Sequence, residues 1–178
     1  MPDVYKIYKT EVAPKLKEMR GYDNVMKIPR LSKIIVSTGI STDAERDAFN
    51  EAKKNITAIT GQNGVITKSR KNISNFKLRK GQAVGVRVTL RNHRMYDFYD
   101  RFVHFVLAQV RDFRGVPSKG FDGSGNYNMG LTDISVFSEI DLDKLKRPMG
   151  LNICFVTTAE TDDEALDLLT LLEMPFSK

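Results

Sequence analysis

The sequence predicts an α+β fold, with a mainly antiparallel sheet of about five strands, helices packed on one face and an extended basic loop. Five short runs rich in β-branched residues stand among four stretches whose apolar residues recur at helical spacing. Several of the predicted strands follow one another through short links, which favours antiparallel pairing. With 178 residues, 41% of them hydrophobic, the chain can bury one core, and no linker divides it, so we expect a single domain.

Four stretches have the apolar spacing of amphipathic helices. They cover 3–19, 42–60, 92–114 and a last stretch from 161 to the proline at 175. Pro14 does not fit the interior of the first helix, which predicts a kink or two short helices meeting there. Thr42 with Glu45, and Thr161 with Glu164, have the spacing of capping boxes and so mark two helix starts.

The predicted strands are 31–37, 65–70, 83–91, 131–137 and 150–158. The third is the clearest, because its apolar and polar residues alternate without interruption. Its core-facing positions are Val84, Val86, Val88 and Leu90, and its opposite, cationic face carries Ala83, Gly85, Arg87, Thr89 and Arg91. The glycine on that second face predicts a close approach by a ligand.

The charges are segregated along the chain. From Ala52 to Tyr96 there is no Asp or Glu but there are eleven Lys and Arg, although the whole chain holds 22 acids and 28 bases. A solvated surface normally interleaves both signs, whereas a long stretch of one sign attracts polyanions. Nucleic acid is the expected polyanion, because each neutralised phosphate releases counterions. The net charge of +6 agrees with that partner.

The balance reverses later in the chain. From Glu139 to Glu173 there are nine acids and three bases. A basic region and an acidic end suggest two partners of opposite character, although a solvated face is the commoner origin of such a run.

The residues of a catalytic or metal site do not occur together. His93 stands in the basic zone and His104 within the long predicted helix, where phosphate-binding or surface roles fit better than catalysis. The basic zone has no carboxylate cluster for a metal-dependent nuclease. The single cysteine, Cys154, forms neither a disulfide nor a metal site and is expected in the core. We therefore expect no enzyme, no cofactor and no metal.

Two further features bear on location and ligand. No apolar run reaches the length of a membrane span, and the N-terminus lacks a signal-peptide pattern, so the expected location is the cytoplasm. The cationic residues lie on predicted strands and loops, and neither a helix-turn-helix nor a zinc finger is visible. A sheet face with loops suits irregular RNA better than duplex DNA. A free-standing RNA chaperone or RNA-binding regulator would share these features.

Four blocks of the sequence are distinctive in combination. In order they are NVMKIPRLSKIIVS from residue 24, ITGQNGVITKSRKNISNFKLRKGQAVGVRVTLR from 59, RDFRGVPSKGFDGSGNYNMG from 111 and GLNICFVTTAETDDEALDLL from 150. Together they resemble the bacterial type of large ribosomal subunit protein five, the family that binds 5S ribosomal RNA. The resemblance covers nearly the whole chain. It implies a structural constituent of the large subunit in the central protuberance of the cytoplasmic ribosome.

The resemblance implies three contacts with 5S RNA: a polar side chain after the first strand, a Gln before the second and a Thr near the end of the third. Here these residues are Ser37, Gln62 and Thr89. The family usually has Asn where Ser37 stands, so one RNA contact is expected to be lost or bridged by water. Basic residues near these positions are expected to contact the same RNA: Lys68, Arg70, Arg87 and Arg91.

The loop 72–82 resembles the arm of that family that reaches the elbow of transfer RNA in the peptidyl site. Its expected contact residues are Lys71, Asn72, Phe76, Lys77, Arg79 and Lys80. Two roles stay open for Phe76, a hinge anchor packed on the sheet or a base-stacking residue.

The resemblance also implies contact with large-subunit ribosomal RNA and, through the later half of the fold, a bridge to a small-subunit protein. A basic partner protein would suit the acidic C-terminal region. We thus expect one RNA-binding domain over 1–178, with an RNA-facing part over about 31–94 and a later part over about 95–178.

Overall fold

The computed structural model describes residues 4–41, 46–140 and 148–177. In chain order the elements are α1 (Val4–Ile7), a π-helical turn (Tyr8–Val12), α2 (Ala13–Arg20), β1 (Leu31–Gly39), α3 (Arg46–Thr60), β2 (Val65–Lys68), β3 (Ala83–Leu90), α4 (Asn92–Arg101), a second π-helical turn (Phe102–Val106), α5 (Leu107–Gln109), β4 (Tyr127–Leu131), β5 (Leu151–Thr157) and α6 (Asp162–Leu171). The strands form one five-stranded sheet in the order β2-β3-β1-β5-β4. The predicted α+β class, with a mainly antiparallel sheet, is therefore confirmed.

The chain divides into two compact units. The first unit comprises Met1–Ile34, Arg91–Met129 and Cys154–Lys178, and the second comprises Ile35–Leu90 and Gly130–Ile153. Among the helices that the structure describes, none has both the length and the apolar composition needed to cross a bilayer.

The first unit has an aromatic core. The rings of Tyr99 and Phe155 meet edge to face with centroids 5.8 Å apart, and the Tyr99 hydroxyl donates to the carbonyl of Leu172 at 3.2 Å. Pro14 directly follows the π-helical turn, which accommodates a residue without an N–H inside continuous helical backbone, since Ile7, Val12 and Ala13 are all in the right-handed helical region. The two short helices predicted to meet here are instead parts of one helical run over 4–20, joined by the π-helical turn.

The second unit is built on the antiparallel pair β2 and β3, with α3 packed against both strands. Ile56 and Ile59 of α3 are fully buried, as the helical spacing predicts. The helix ends at Gly61, whose φ of +66° is left-handed and whose N–H donates to the carbonyl of Thr57. The capping box predicted at its start, Thr42 with Glu45, lies outside the described residues.

Two predicted elements need correction. The strand expected at 131–137 is wrong: β4 ends at Leu131, and Ile134–Val136 form a 3-10 turn. The turn forms because the Asp133 carboxylate accepts from the N–H of Ser135 at 3.0 Å, an interaction that β-branched composition does not reveal. The sheet instead uses the preceding, glycine-containing stretch.

The long helix expected over 92–114 is also shorter than predicted. Its last helical residue is Gln109, because Val110 leaves the helical conformation for the extended region with φ −67° and ψ 126°. Asn92 opens α4 with a φ of +52°, and Arg91 occupies the cap position without a side-chain cap bond.

Cys154 is not a core residue, contrary to the expectation. Alternate residues of β5 are buried, including Ile153 and Phe155, and Cys154 lies half-buried on the opposite face of the strand. Burial raises the pKa of its thiol, which makes it a weak nucleophile.

Candidate nucleic-acid interface

Strand β3 has the two predicted faces over its second half, whereas Val84, predicted in the core, is half-buried. Val86, Val88 and Leu90 are at most 2% exposed and face α3, whereas Arg87 is exposed and Thr89 is half-buried. Because opposite residues of an antiparallel pair share a face, the register of β2 extends this open face. Val65 lies opposite Arg87 and is 68% exposed.

Gln62 and Thr89, 27 residues apart, meet at one edge of this face. The Gln62 side-chain amide donates from Nε2 to the Thr89 carbonyl at 3.1 Å. Only the amide nitrogen can donate to a carbonyl, so this bond fixes the side-chain orientation and leaves the amide oxygen outward. The structure therefore brings together two of the three residues that the family resemblance assigns to 5S RNA.

The polar atoms of this site are left available. Within the described part of the chain, neither the Gln62 Oε1 nor the hydroxyls of Thr89 and Ser37 have a hydrogen-bond partner, and all three residues are half-buried. Ser37 lies on the less buried side of β1, between the buried Val36 and Thr38, and β1 is next to β3 in the sheet. Accessible oxygens held on strands suit the hydroxyls and base edges of RNA.

The surroundings of these atoms are cationic. Lys68, Arg70 and Arg87 are exposed in the second unit, and Arg91, the first residue of a first-unit segment, is exposed as well. None of the five strands contains an Asp or Glu. The strands themselves therefore supply no carboxylate that would compete with an RNA phosphate for these cations.

Gly85 corrects one expectation. The close approach at this glycine is made by the end of β1 and not by a ligand. A Cβ built on Gly85 would lie 2.2 Å from the Thr38 carbonyl oxygen, and the N–H of Ile40 donates to the Val84 carbonyl at 3.0 Å. The glycine thus lets two backbones meet, which seals this part of the face from a partner.

Val65 is a member of this face that the sequence analysis did not assign. An apolar residue in a short strand is expected in the core, yet the register places it beside Arg87 on the open side. The signal was present in β2, where Ile66 alternates with Val65 and pairs with the buried Val86. An exposed apolar side chain beside an arginine offers a surface for a sugar or base.

The basic loop is a closed hairpin that extends β2 and β3. Its base is held by Ser69, whose N–H donates to the Gln82 carbonyl at 2.8 Å. Near its tip, Ile73 and Leu78 exchange two backbone hydrogen bonds of 2.9 and 3.0 Å. Lys77 takes the left-handed φ of +50° that closes the tip. The loop therefore has a defined backbone on which its cations are carried.

Two hairpin residues differ in what they offer a ligand. The Asn72 side-chain oxygen accepts from the N–H of Lys80 at 2.7 Å, so this residue braces the hairpin. Phe76 at the tip is 67% exposed, which does not fit an anchor packed on the sheet and agrees with a stacking residue. Beside the brace, the side chains of Lys77, Arg79 and Lys80 line one open depression.

This arrangement suits the binding of a polyanion. Three cations on the hairpin and the exposed cations of the sheet face supply attraction, while the neutral oxygens of the sheet supply directed contacts. Within the described ranges, no group of three His, Cys, Asp or Glu residues is placed to hold a metal ion. An α+β chain with a cationic sheet face and a cationic hairpin has the features of an RNA-binding protein.

Comparisons with known proteins define the family. Residues 24–79 match the model of ribosomal protein L5, and residues 83–176 match the model of the C-terminus of the same ribosomal family. The chain therefore belongs to the ribosomal protein L5 family, whose members are structural and not enzymes. It is 49% identical, over 100% of its length and 97% of the relative's, to the large ribosomal subunit protein uL5 of Magnetococcus marinus. It is 46% identical to uL5 of Carboxydothermus hydrogenoformans over the full length of both chains.

Proposed function

We propose that this chain is a structural constituent of the large ribosomal subunit that binds 5S ribosomal RNA through its open sheet face. The observation that carries the proposal is the pairing of Gln62 with Thr89, which holds two accessible oxygens at one edge of a cationic, acid-free face. Its relatives of nearly full length are large-subunit proteins. The cytoplasmic ribosome is the location that follows, with large-subunit RNA as a further partner.

The neutral and charged residues have different parts in this proposal. Ser37, Gln62 and Thr89 read the position of RNA hydroxyls and base edges, because strands hold them in fixed places. The cations nearby attract the phosphates and set the salt dependence of binding. The serine at position 37 is shorter than an asparagine and reaches its RNA partner through a water molecule.

The hairpin has a separate ligand in this proposal. Its tip cations and the exposed Phe76 contact transfer RNA in the peptidyl site, with the brace at Asn72 keeping the arm in shape. The RNA-facing part of the single domain spans about 31–94.

The later part, about 95–178, makes the proposed bridge to a basic small-subunit protein. Its described acids are largely engaged within the first unit. Asp162 accepts from the N–H groups of Gly123 and Gly125 at 3.0 and 2.8 Å, and Asp167 accepts from Arg20 at 2.7 Å. The exposed Glu160 and Asp163 are therefore the better candidates for that contact.

The test is a binding measurement with 5S RNA against an unrelated RNA of the same length, repeated over a range of salt concentrations. Thr89→Ala should weaken 5S RNA binding by about 1–2 kcal/mol, the scale of a lost hydrogen bond, and leave the salt dependence unchanged. Arg87→Ala should instead lower the slope of log affinity against log salt by about one. Thr170→Ala, an exposed threonine of α6, is the matched control and should bind like the parent.

The outcomes separate the two candidate functions. Equal affinity for 5S RNA and the unrelated RNA would favour the chaperone or regulator and contradict the proposal. Parent-like binding by Thr89→Ala would show that the sheet edge is not the reading site.

A further inference from the structure

The first unit contains a cavity of about 630 Å³ that no part of the proposed function uses. It is formed by the N-terminal helical segment, the stretch before β1 and the start of α4. Its walls include Tyr5, Tyr8, Lys9, Arg30, His93 and Tyr96. None of these residues belongs to the open face of β2 and β3 or to the hairpin.

The cavity is rich in aromatic rings. The Tyr5 ring lies edge to face with His93 at a centroid distance of 6.1 Å and tilted against Tyr96 at 5.2 Å. At the rim, the apolar side chains of Val25 and Met26 are 65% and 79% exposed. Such large exposed apolar groups beside aromatic rings form a surface suited to a flat, partly apolar ligand.

The charge of the cavity selects an anionic ligand. No Asp or Glu is among its lining residues, whereas Lys9 and Arg30 are, and both are exposed. The Lys9 ammonium lies 4.3 Å from the centre of the Tyr5 ring, so a cation and an aromatic face are already side by side. A nucleotide combines the flat base and the phosphate that these two features would bind.

Tyr96 places a hydrogen-bond donor at the cavity wall. Its side chain is 7% exposed and lines the cavity, yet within the described residues its hydroxyl has no hydrogen-bond partner. Burial raises the pKa of Tyr96 to about 12, so the hydroxyl keeps its proton at neutral pH and can donate. The hydroxyl oxygen itself is not among the buried polar atoms of the described residues that lack a partner, so it is open to the cavity and can donate to a ligand atom there.

We infer that this cavity holds one unstacked nucleotide of a single-stranded RNA segment. The base packs against Tyr5 and His93, the phosphate lies at Lys9 and Arg30, and the Tyr96 hydroxyl bonds to the base edge. The inference rests on the proposed function only in taking RNA as the ligand, because it concerns different residues from those proposed to bind 5S RNA.

Methionine methyl groups give a direct test. Met26 and Met95 line the cavity, and Met129 and Met149 do not, so ¹³C-methyl NMR of the full chain reports occupancy with internal references. Hexauridylate and hexaadenylate are the probes, and adenosine monophosphate is the comparison. A saturable shift of the two cavity methyls with a hexanucleotide, and much weaker binding of the monophosphate, is the expected result.

Paired variants separate a site from general attraction. Lys9→Ala/Arg30→Ala should weaken the hexanucleotide by about tenfold or more, because both phosphate contacts are lost. Lys17→Ala/Arg94→Ala removes the same charge from exposed positions outside the cavity and should change affinity by about twofold or less.

A third variant tests the Tyr96 hydroxyl without altering the ring. Tyr96→Phe should weaken the hexanucleotide by about threefold to tenfold, as expected for one lost hydrogen bond. Unmoved cavity methyls, equal weakening by both double variants, or monophosphate binding as tight as that of the hexanucleotide would each overturn the inference. If the inference fails while Thr89→Ala still weakens 5S RNA binding, the proposed function stands. If the cavity tests succeed but Thr89→Ala binds 5S RNA like the parent, the sheet-face proposal is wrong and the cavity inference stands.

Discussion

Gly85→Ala tests whether the close contact between β1 and β3 shapes the open sheet face. The added methyl carbon would lie 2.2 Å from the Thr38 carbonyl oxygen, about 0.8 Å inside the 3.0 Å that real Cβ atoms keep. The neighbouring atom belongs to the backbone, so it cannot move aside as the end of a long side chain can. Either β1 or β3 must shift.

The cost can be worked from this geometry. Overpacking of this kind costs about 1–3 kcal/mol. The shift also strains the nearby bond from Ile40 to Val84, a backbone hydrogen bond with a net value of about 1 kcal/mol. Alanine recovers about 0.5–1 kcal/mol relative to glycine within a strand. The expected loss is therefore about 1–3.5 kcal/mol, or about 2–14 °C in Tm for a chain of this size.

Urea unfolding monitored by circular dichroism measures this loss, and the m-value should stay unchanged. Gly130→Ala is the matched control, because it is also a strand glycine of the second unit. Its added Cβ would meet only the Asn152 side-chain oxygen at an ordinary 3.6 Å. We expect Gly130→Ala to lie within about 0.5 kcal/mol of the parent. Equal stability of the two variants would refute the close contact at Gly85.

Two other predictions follow from the hairpin and from the first unit. Changing Lys77, Arg79 and Lys80 together to Ala should leave 5S RNA binding and stability nearly intact and weaken the retention of peptidyl-site transfer RNA in reconstituted ribosomes. Weaker 5S RNA binding with unchanged retention of transfer RNA would show that the proposal gives the hairpin the wrong RNA ligand. Glu173→Gln should lower the pKa of His104 in an NMR titration. Burial opposes the imidazolium charge, but hydrogen bonds to Glu173 and to a backbone carbonyl outweigh it and raise that pKa. The stabilisation is complete below the unfolded pKa of about 6.5 and is lost as pH rises through the higher folded value, and an unmoved pKa in the variant would contradict it.

The sequence predicted those elements that depend only on residues close to one another along the chain. The alternation in β3 predicted the burial of Val86, Val88 and Leu90, although Val84 is only half-buried. The start of α6 was predicted because Thr161 accepts from the N–H of Glu164, and Glu164 bonds back to the N–H of Glu160. Such bonds join residues a few positions apart, so sequence spacing is enough to reveal them.

The elements that were missed depend on competition between local and long-range bonds. The run after Leu131 has strand-like composition, but Asp133 caps a turn there and the N–H of Ile134 donates to the Met149 carbonyl, 15 residues later. Gly85 was assigned to a ligand because a sequence cannot show that the chain itself makes the close approach. The exposure of Val65 follows from its register with Arg87, which is a property of the sheet and not of β2 alone.

The cationic and the neutral residues of the proposed 5S RNA site have different roles because their side chains differ in mobility. A cation on a long, exposed side chain adapts to many phosphate positions, so it adds attraction without fixing a register. An oxygen on a short side chain of a strand cannot move to meet a displaced RNA group. Binding therefore requires an RNA whose hydroxyls already lie at the right place. Gln62 tightens this requirement, because its bond to the Thr89 carbonyl ties the loop before β2 to the end of β3. The selectivity for one RNA should consequently reside in a few neutral residues, while the many cations around them determine only how strongly RNA is attracted.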